Sequence, residues 1–196
     1  MLIPLLVWLI VALLLALTGT LHNLPVSMPV VGVTLTAVLL LVLALSKSVR
    51  VRAFAGGPRP LVAFHLTRFV GFYFLWLSSL GVLARNFAVP AGWGDVIIAA
   101  WAVALLAIRD WSSRELRLAI LVWNAFGLFD ILLVMGLASR QAAIDPGFRN
   151  GFASLPLSLL PSFIVPIVIA THVLLFAWLG RRRGHHREQQ EPAAQP

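Results

Sequence analysis

The sequence predicts an all-α fold: a polytopic transmembrane bundle of six helices with both termini cytoplasmic. Three observations carry this. The 196-residue chain is 60% hydrophobic and 11% charged, with a mean hydropathy of +0.95. That is too little polar surface for a soluble domain of this size, so the bilayer is its main solvent. Its apolar runs approach or exceed the roughly 20 residues a helix needs to cross hydrocarbon. They lack the alternation of barrel strands, and only helices then satisfy every backbone donor in lipid. Finally, Lys and Arg fall in alternate connections.

The runs come in order. The first, Leu2–Thr18, resembles a signal peptide in its "ALTGT" end but has no basic segment before it, so residues 1–18 are expected to be retained. The second is Pro29–Leu45 and the third Leu61–Ala84. The connection "RNFAVPAGWGDV" reads as a tight outer turn built on Pro90, Gly92 and Gly94, with Asp95 at the entrance of the next helix, where the dipole favours a carboxylate. The fourth run is Ala91–Ile108, the fifth Leu116–Ala138 and the sixth Leu155–Gly180. In the sixth, Pro156 is placed to begin the helix, while Pro161 and Pro166 each remove a backbone donor and should kink it. Residues 1–180 form one transmembrane domain; residues 181–196 read as a basic, disordered tail. His185 and His186 in that tail read as solvated side chains rather than a metal site.

Orientation follows from charge. Lys47, Arg50, Arg52, Arg59, Arg109, Arg114, Arg117, Arg181, Arg182, Arg183 and Arg187 share one side; Arg85, Arg140 and Arg149 lie on the other. The positive-inside rule makes the larger set cytoplasmic. The net charge of +8 is therefore placed for a membrane, not for nucleic acid. Cysteine is absent, which excludes disulfides, thiolate metal sites and thiol nucleophiles.

Function must rest on the polar residues inside the spans, because a charged residue at the centre of a membrane helix costs about 2.5–3.5 kcal/mol. At ~1.5 Å per residue, His65 lies ~6 Å and Arg68 ~10 Å below the cytoplasmic end of their helix. Asn124 and His172 each lie ~12 Å deep from the same side. Three helices thus place His65, Arg68, Asn124 and His172 in one layer. Asp130 sits ~12 Å from the outer end of its helix, axially ~8 Å from Arg68 in a ~30 Å core, a gap a long Arg side chain spans. The sequence leaves three states open for it: paired with Arg68, paired with Arg85, or protonated. Gly127, between Asn124 and Asp130, suits the close approach of a helix or a ligand.

The segments "HLTRFVGFYFL", "NFAVPAGWGDV", "WNAFGLFDILL" and "LPSFIVPIVIATHVLLF" resemble a group of small, uncharacterised bacterial multi-pass inner-membrane proteins. The resemblance runs over roughly residues 61–180 and rests on Arg68, Pro90, Gly92, Gly94, Asp95, Asn124, Gly127, Asp130, Pro161, Pro166 and His172, with His65 a weaker match. It implies bacterial origin and the inner membrane, and it implies no activity.

The expected function is binding or transport of a small molecule or ion, with His65, Arg68, Asp95, Asn124, Asp130 and His172 as ligand-binding or proton-carrying candidates. The expected partners are the lipid bilayer, that ligand and a second copy of the chain, since six helices without a repeat make a small transporter; no cofactor is required. One alternative is a b-haem redox protein with His65 and His172 as axial ligands. Another is a structural or partner-binding subunit whose polar residues only specify packing. An enzyme is the weaker reading, because no nucleophile, metal triad or cofactor motif points to a reaction.

Overall fold

The computed structural model describes the backbone of residues 2–188 and the side chains of residues 3–180. Every regular element among them is helical. Five helices are long and apolar enough to cross a membrane: Met28–Leu45, Pro58–Ser79, Arg85–Ala107, Arg114–Ile144 and Leu160–Gly180. The protein is a multi-pass helical membrane protein.

The first apolar run forms α1 (Leu2–Leu17). At ~24 Å it falls short of a ~30 Å core, so six helices of spanning length become five with a shorter apolar helix beside them. A 3-10 turn (Thr20–Asn23) leads to α2 (Met28–Leu45). The following connection is itself partly helical: α3 (Lys47–Phe54) starts where the Ser46 hydroxyl accepts the Val49 amide.

The third expected span is composite. It begins as α4 (Pro58–Phe64), tightens into a 3-10 helix over His65–Val70, and resumes as α5 (Gly71–Ser79). It ends five residues earlier than expected, because Gly81 adopts φ +72°. The amides of Val82 and Gly81 then bond back to the Leu77 and Ser78 carbonyls, the pairing that closes a helix on a left-handed glycine.

The next helix, α6, runs from Arg85 to Ala107 and carries Pro90 inside it. The expected turn at "AVPAGWGD" is therefore helix, and Asp95 is in its interior rather than at its entrance. The glycines read as turn formers are packing notches. A Cβ at Gly92 would lie 2.8 Å from the Gly71 carbonyl oxygen, and one at Gly94 would collide with the Asp130 carboxylate.

Helix α7 (Arg114–Ile144) is capped by the Ser113 hydroxyl and extends beyond the expected end at Ala138. A short amphipathic helix, α8 (Pro146–Ala153), follows, with the Asp145 carboxylate accepting the Phe148 amide. Phe148 and Phe152 pack with Phe87 and Phe74 in an aromatic cluster. The last span opens with a π-turn, Leu160–Ile164, and continues as α9 (Val165–Glu188). Pro156 precedes it. Pro166 has no amide to give the Ser162 carbonyl, and the Trp8 indole of α1 donates there instead at 2.9 Å. That bond pins α1 to the break. The helix continues past Gly180, where the sequence suggested disorder; residues 189–196, and the side chains of His185 and His186, lie outside the described residues.

Two large apolar cores stack along the bundle, with a smaller third cluster at Ile131, Val168 and Ile169. One centres on Phe74, Phe87, Ala91, Val134 and Leu160; the other on Val62, Ile98, Ile120, Trp123 and Leu175. At the end nearer the second core, Arg59 donates to the Ile108 carbonyl at 2.6 Å and lies over Trp111, while Arg117 donates to the Leu179 carbonyl at 2.9 Å. The basic connections thus share one end of the molecule.

Candidate functional site

Between the two cores lies a polar layer. Along α6 it falls between Ala91 and Ile98, and along α7 between Trp123 and Val134. The 3-10 segment opens it on the third helix. Three residues per turn eclipse positions i and i+3, so His65 and Arg68 stand in line on one buried face. A glycine on each side of the crossing brings α6 within backbone contact of this segment, Gly71 against Gly92.

Arg68 is 2% exposed and joins three elements. Its Nε donates to Asp95 Oδ1 of α6 at 2.7 Å. One Nη donates to the Gly127 carbonyl of α7 at 3.0 Å, and the other to Asp130 Oδ2 of α7. Asp95 is 4% exposed, and the Asp130 side chain is 16% exposed in the notch left by Gly94. Of the two arginines open to Asp130, the geometry selects Arg68; Arg85 lies on the surface at the start of α6. One guanidinium between two carboxylates leaves one negative charge in excess when both are ionised. Such a buried excess is costly unless a proton or cation offsets it.

Beside this cluster stand two fully buried imidazoles, His65 and His172. The Asn124 side-chain NH2 donates to the His172 carbonyl at 3.0 Å, so its Oδ1 must accept from His172 Nδ1, 2.8 Å away. Thr171 gives its hydroxyl hydrogen to the Val168 carbonyl at 2.7 Å and so accepts from His65 Nε2 at 3.1 Å. Both tautomers are set by these partners. In the neutral rings, His65 Nδ1 and His172 Nε2 are left as acceptors with no donor among the described residues. Trp123 packs edge-on to His65 at 4.8 Å and donates to the Ile98 carbonyl.

These rings do not fit a haem. Their centroids are 4.2 Å apart and tilted by 53°. Imidazoles on opposite faces of one iron, each bonded at about 2 Å, hold centroids roughly 6 Å apart. Among the described residues no group of three or more His, Asp or Glu is placed to hold a metal ion.

A cavity of about 60 Å³ adjoins the cluster. Arg68 and Asp95 form its polar end; its apolar walls include Gly32 of α2, Met135 of α7, and Pro161 and Val165 at the break in the last span. Thr67 is the exposed member of its lining. The irregular backbone of the π-turn thus lines a cavity, as irregular backbone at membrane depth must unless protein covers it.

The structure brings together all six sequence candidates: His65, Arg68, Asp95, Asn124, Asp130 and His172. Sequence reasoning missed Thr171 as the His65 partner and Gly94 as the seat of Asp130. A hydroxyl one residue before a buried His was the available signal for the first. For the second, nothing local distinguishes a turn glycine from a notch.

Membrane-length helices closed around a buried guanidinium–carboxylate cluster and an apolar cavity define a class: multi-pass helical membrane proteins with a charged internal site. The chain belongs to the domain-of-unknown-function family DUF8737, whose model matches residues 24–180. The match takes in α2 as well as the segments from residue 61 onward. No curated protein and no solved structure matches it.

Proposed function

We propose that this chain is a bacterial inner-membrane protein that binds and moves a small molecule or ion through a protonatable site formed by Arg68, Asp95 and Asp130. The observation that carries the reading is the single buried guanidinium shared by two carboxylates from different helices. A proton that offsets the excess charge, and leaves when a ligand replaces it, couples ligand binding to proton movement. The broken last span and the cavity beside the cluster supply a binding position of the kind found where transporter helices are discontinuous. The clustering of basic connections at one end of the bundle supports a cytoplasmic location for that end. A packing-only role is the second reading, favoured by the closed Asn124–His172 pairing.

Proteoliposomes with an entrapped pH indicator separate the two. A panel of amines, carboxylates and inorganic cations is added outside, with protein-free liposomes as reference. One class is expected to move protons in the parent. Asp130→Asn, which retains an acceptor for Arg68, is expected to abolish that movement with unchanged yield and melting temperature. Full proton movement in Asp130→Asn refutes the proton-carrying role. A parent indistinguishable from empty liposomes across the panel favours packing alone.

A further inference from the structure

We infer that the cavity beside Asp95 binds a lipophilic monocation, an alkylammonium whose head meets the Asp95 carboxylate and whose chain leads out toward lipid. This names the substrate class of the site proposed above and rests on that site taking a ligand.

Four observations converge. First, Asp95 is nine-tenths or more buried, lines the cavity, and is engaged through Oδ1 alone. No donor among the described residues bonds its second oxygen. A carboxylate oxygen left without a donor at the end of an apolar chamber calls for one from a ligand.

Second, the sign of the ligand follows from charge. Arg68 faces both Asp95 and Asp130, so the cluster is negative when both are ionised. An anion would add to that excess and a cation offsets it. Arg68 keeps N–H groups beyond those it uses, but its charge is already matched.

Third, the walls are apolar. Gly32, Met135, Pro161, Ile164, Val165 and Val168 surround the space, which favours a hydrocarbon group behind the head. A hydrated inorganic ion would gain nothing from those walls.

Fourth, size limits the ligand. At about 60 Å³ the cavity is well under the ~150 Å³ that holds benzene in a dry protein core. It encloses the ammonium and a short alkyl segment, not a ring. Thr67, the exposed member of its lining, gives the position at which a longer chain would leave for the bilayer, where each further CH2 remains in hydrocarbon.

The test uses the full chain in nanodiscs and three probes of equal chain length: octylammonium, octanoate and octanol. Calorimetric titrations at pH 7 are corrected with empty nanodiscs, because all three probes partition into lipid. Octylammonium is expected to bind at least tenfold more tightly than either other probe. Asp95→Asn is expected to weaken it at least tenfold. Val165→Phe, which fills the cavity and leaves the ionic cluster intact, guards against a folding defect in Asp95→Asn and is expected to abolish binding. Octanoate binding as tightly as octylammonium overturns the inference, since recognition then lies with Arg68. Equal octylammonium binding by the parent, Asp95→Asn and Val165→Phe also overturns it, as simple partitioning. Saturable, Asp95-dependent binding in a protein that moves no protons in liposomes leaves the cavity assignment standing and removes the transport reading.

Discussion

Replacing Arg68 by Met removes one charge from a cluster in which three side chains depend on each other. The guanidinium is 2% exposed and the Asp95 carboxylate it bonds at 2.7 Å is 4% exposed; Asp130 is held on its other arm. Met fills much of the arginine's volume, so the cavity penalty is small and the cost is electrostatic. Removing one partner of a buried ion pair typically costs about 3–5 kcal/mol, because the charge left behind has no compensation. Here two carboxylates are left, so Arg68→Met should fall in or above that range. The Gly127 carbonyl also loses its bond to Arg68, but it keeps its place in the α7 hydrogen-bond ladder. Replacing a whole buried ion set by well-packed apolar residues of similar volume is often close to neutral. The triple variant Arg68→Met, Asp95→Leu, Asp130→Leu should therefore recover most of the loss, to within about 1 kcal/mol of the parent. Unfolding by SDS titration from maltoside micelles, followed by circular dichroism, measures both. If Arg68→Met unfolds at the parent's SDS fraction, the cluster is not closed in solution. If the triple variant is no more stable than the single, the loss comes from packing and the charge argument fails.

Further perturbations probe other parts of the framework. Gly92→Ala puts a methyl 2.8 Å from the Gly71 carbonyl oxygen and 2.8 Å from Leu75 Cγ; since backbone cannot retreat, it should cost about 1–3 kcal/mol. Gly136→Ala, on the same scale, meets nothing within 4 Å and should be neutral or stabilise α7 by up to about 1 kcal/mol, so equal melting temperatures for the two variants would refute the notch. Asn124→Leu strands the buried His172 Nδ1–H that it accepts at 2.8 Å, at about 1–3 kcal/mol, while the His172 carbonyl keeps its place in the α9 ladder; the ¹⁵N shifts of the His172 ring should report loss of the single tautomer, and unchanged shifts would count against the lock. Asp145 lies outside the spans, and the Phe148 amide and then the Gln141 side chain hold its carboxyl below the ordinary 3.8. Its contribution to anchoring α8 is complete above the ordinary carboxylate range and is lost as pH falls through the lowered value. Exchange of the Phe148 amide should accelerate at low pH in the parent, beyond the intrinsic trend, and lose that component in Asp145→Asn.

Several features were legible because they depend on composition or on helical rise. Apolar length identified the membrane solvent and all five helices of spanning length, but counted the shorter first run as a sixth. Depths within ~6 Å of one another on three helices placed His65, Arg68, Asn124 and His172 in one layer, and the reach of an arginine made Arg68 one of the partners open to Asp130. The short helices α3 and α8 had local signals, Ser46 before the first and Asp145-Pro146 before the second, that a reading centred on hydropathy passes over.

What the sequence by itself determined about this protein is its solvent, its helical class and the small set of polar residues that cannot face lipid. Those are set by transfer free energies, which act residue by residue. Only the tertiary structure decided that Gly92 and Gly94 are notches in a helix, that Asp95 shares Arg68 with Asp130, and that His65 and His172 stand too close for a haem. A glycine suits a turn and a helix crossing equally, and a carboxylate serves equally as a cap and a buried partner. The choice falls to whichever neighbour the packed bundle brings against it, a property of several helices at once that no single segment encodes.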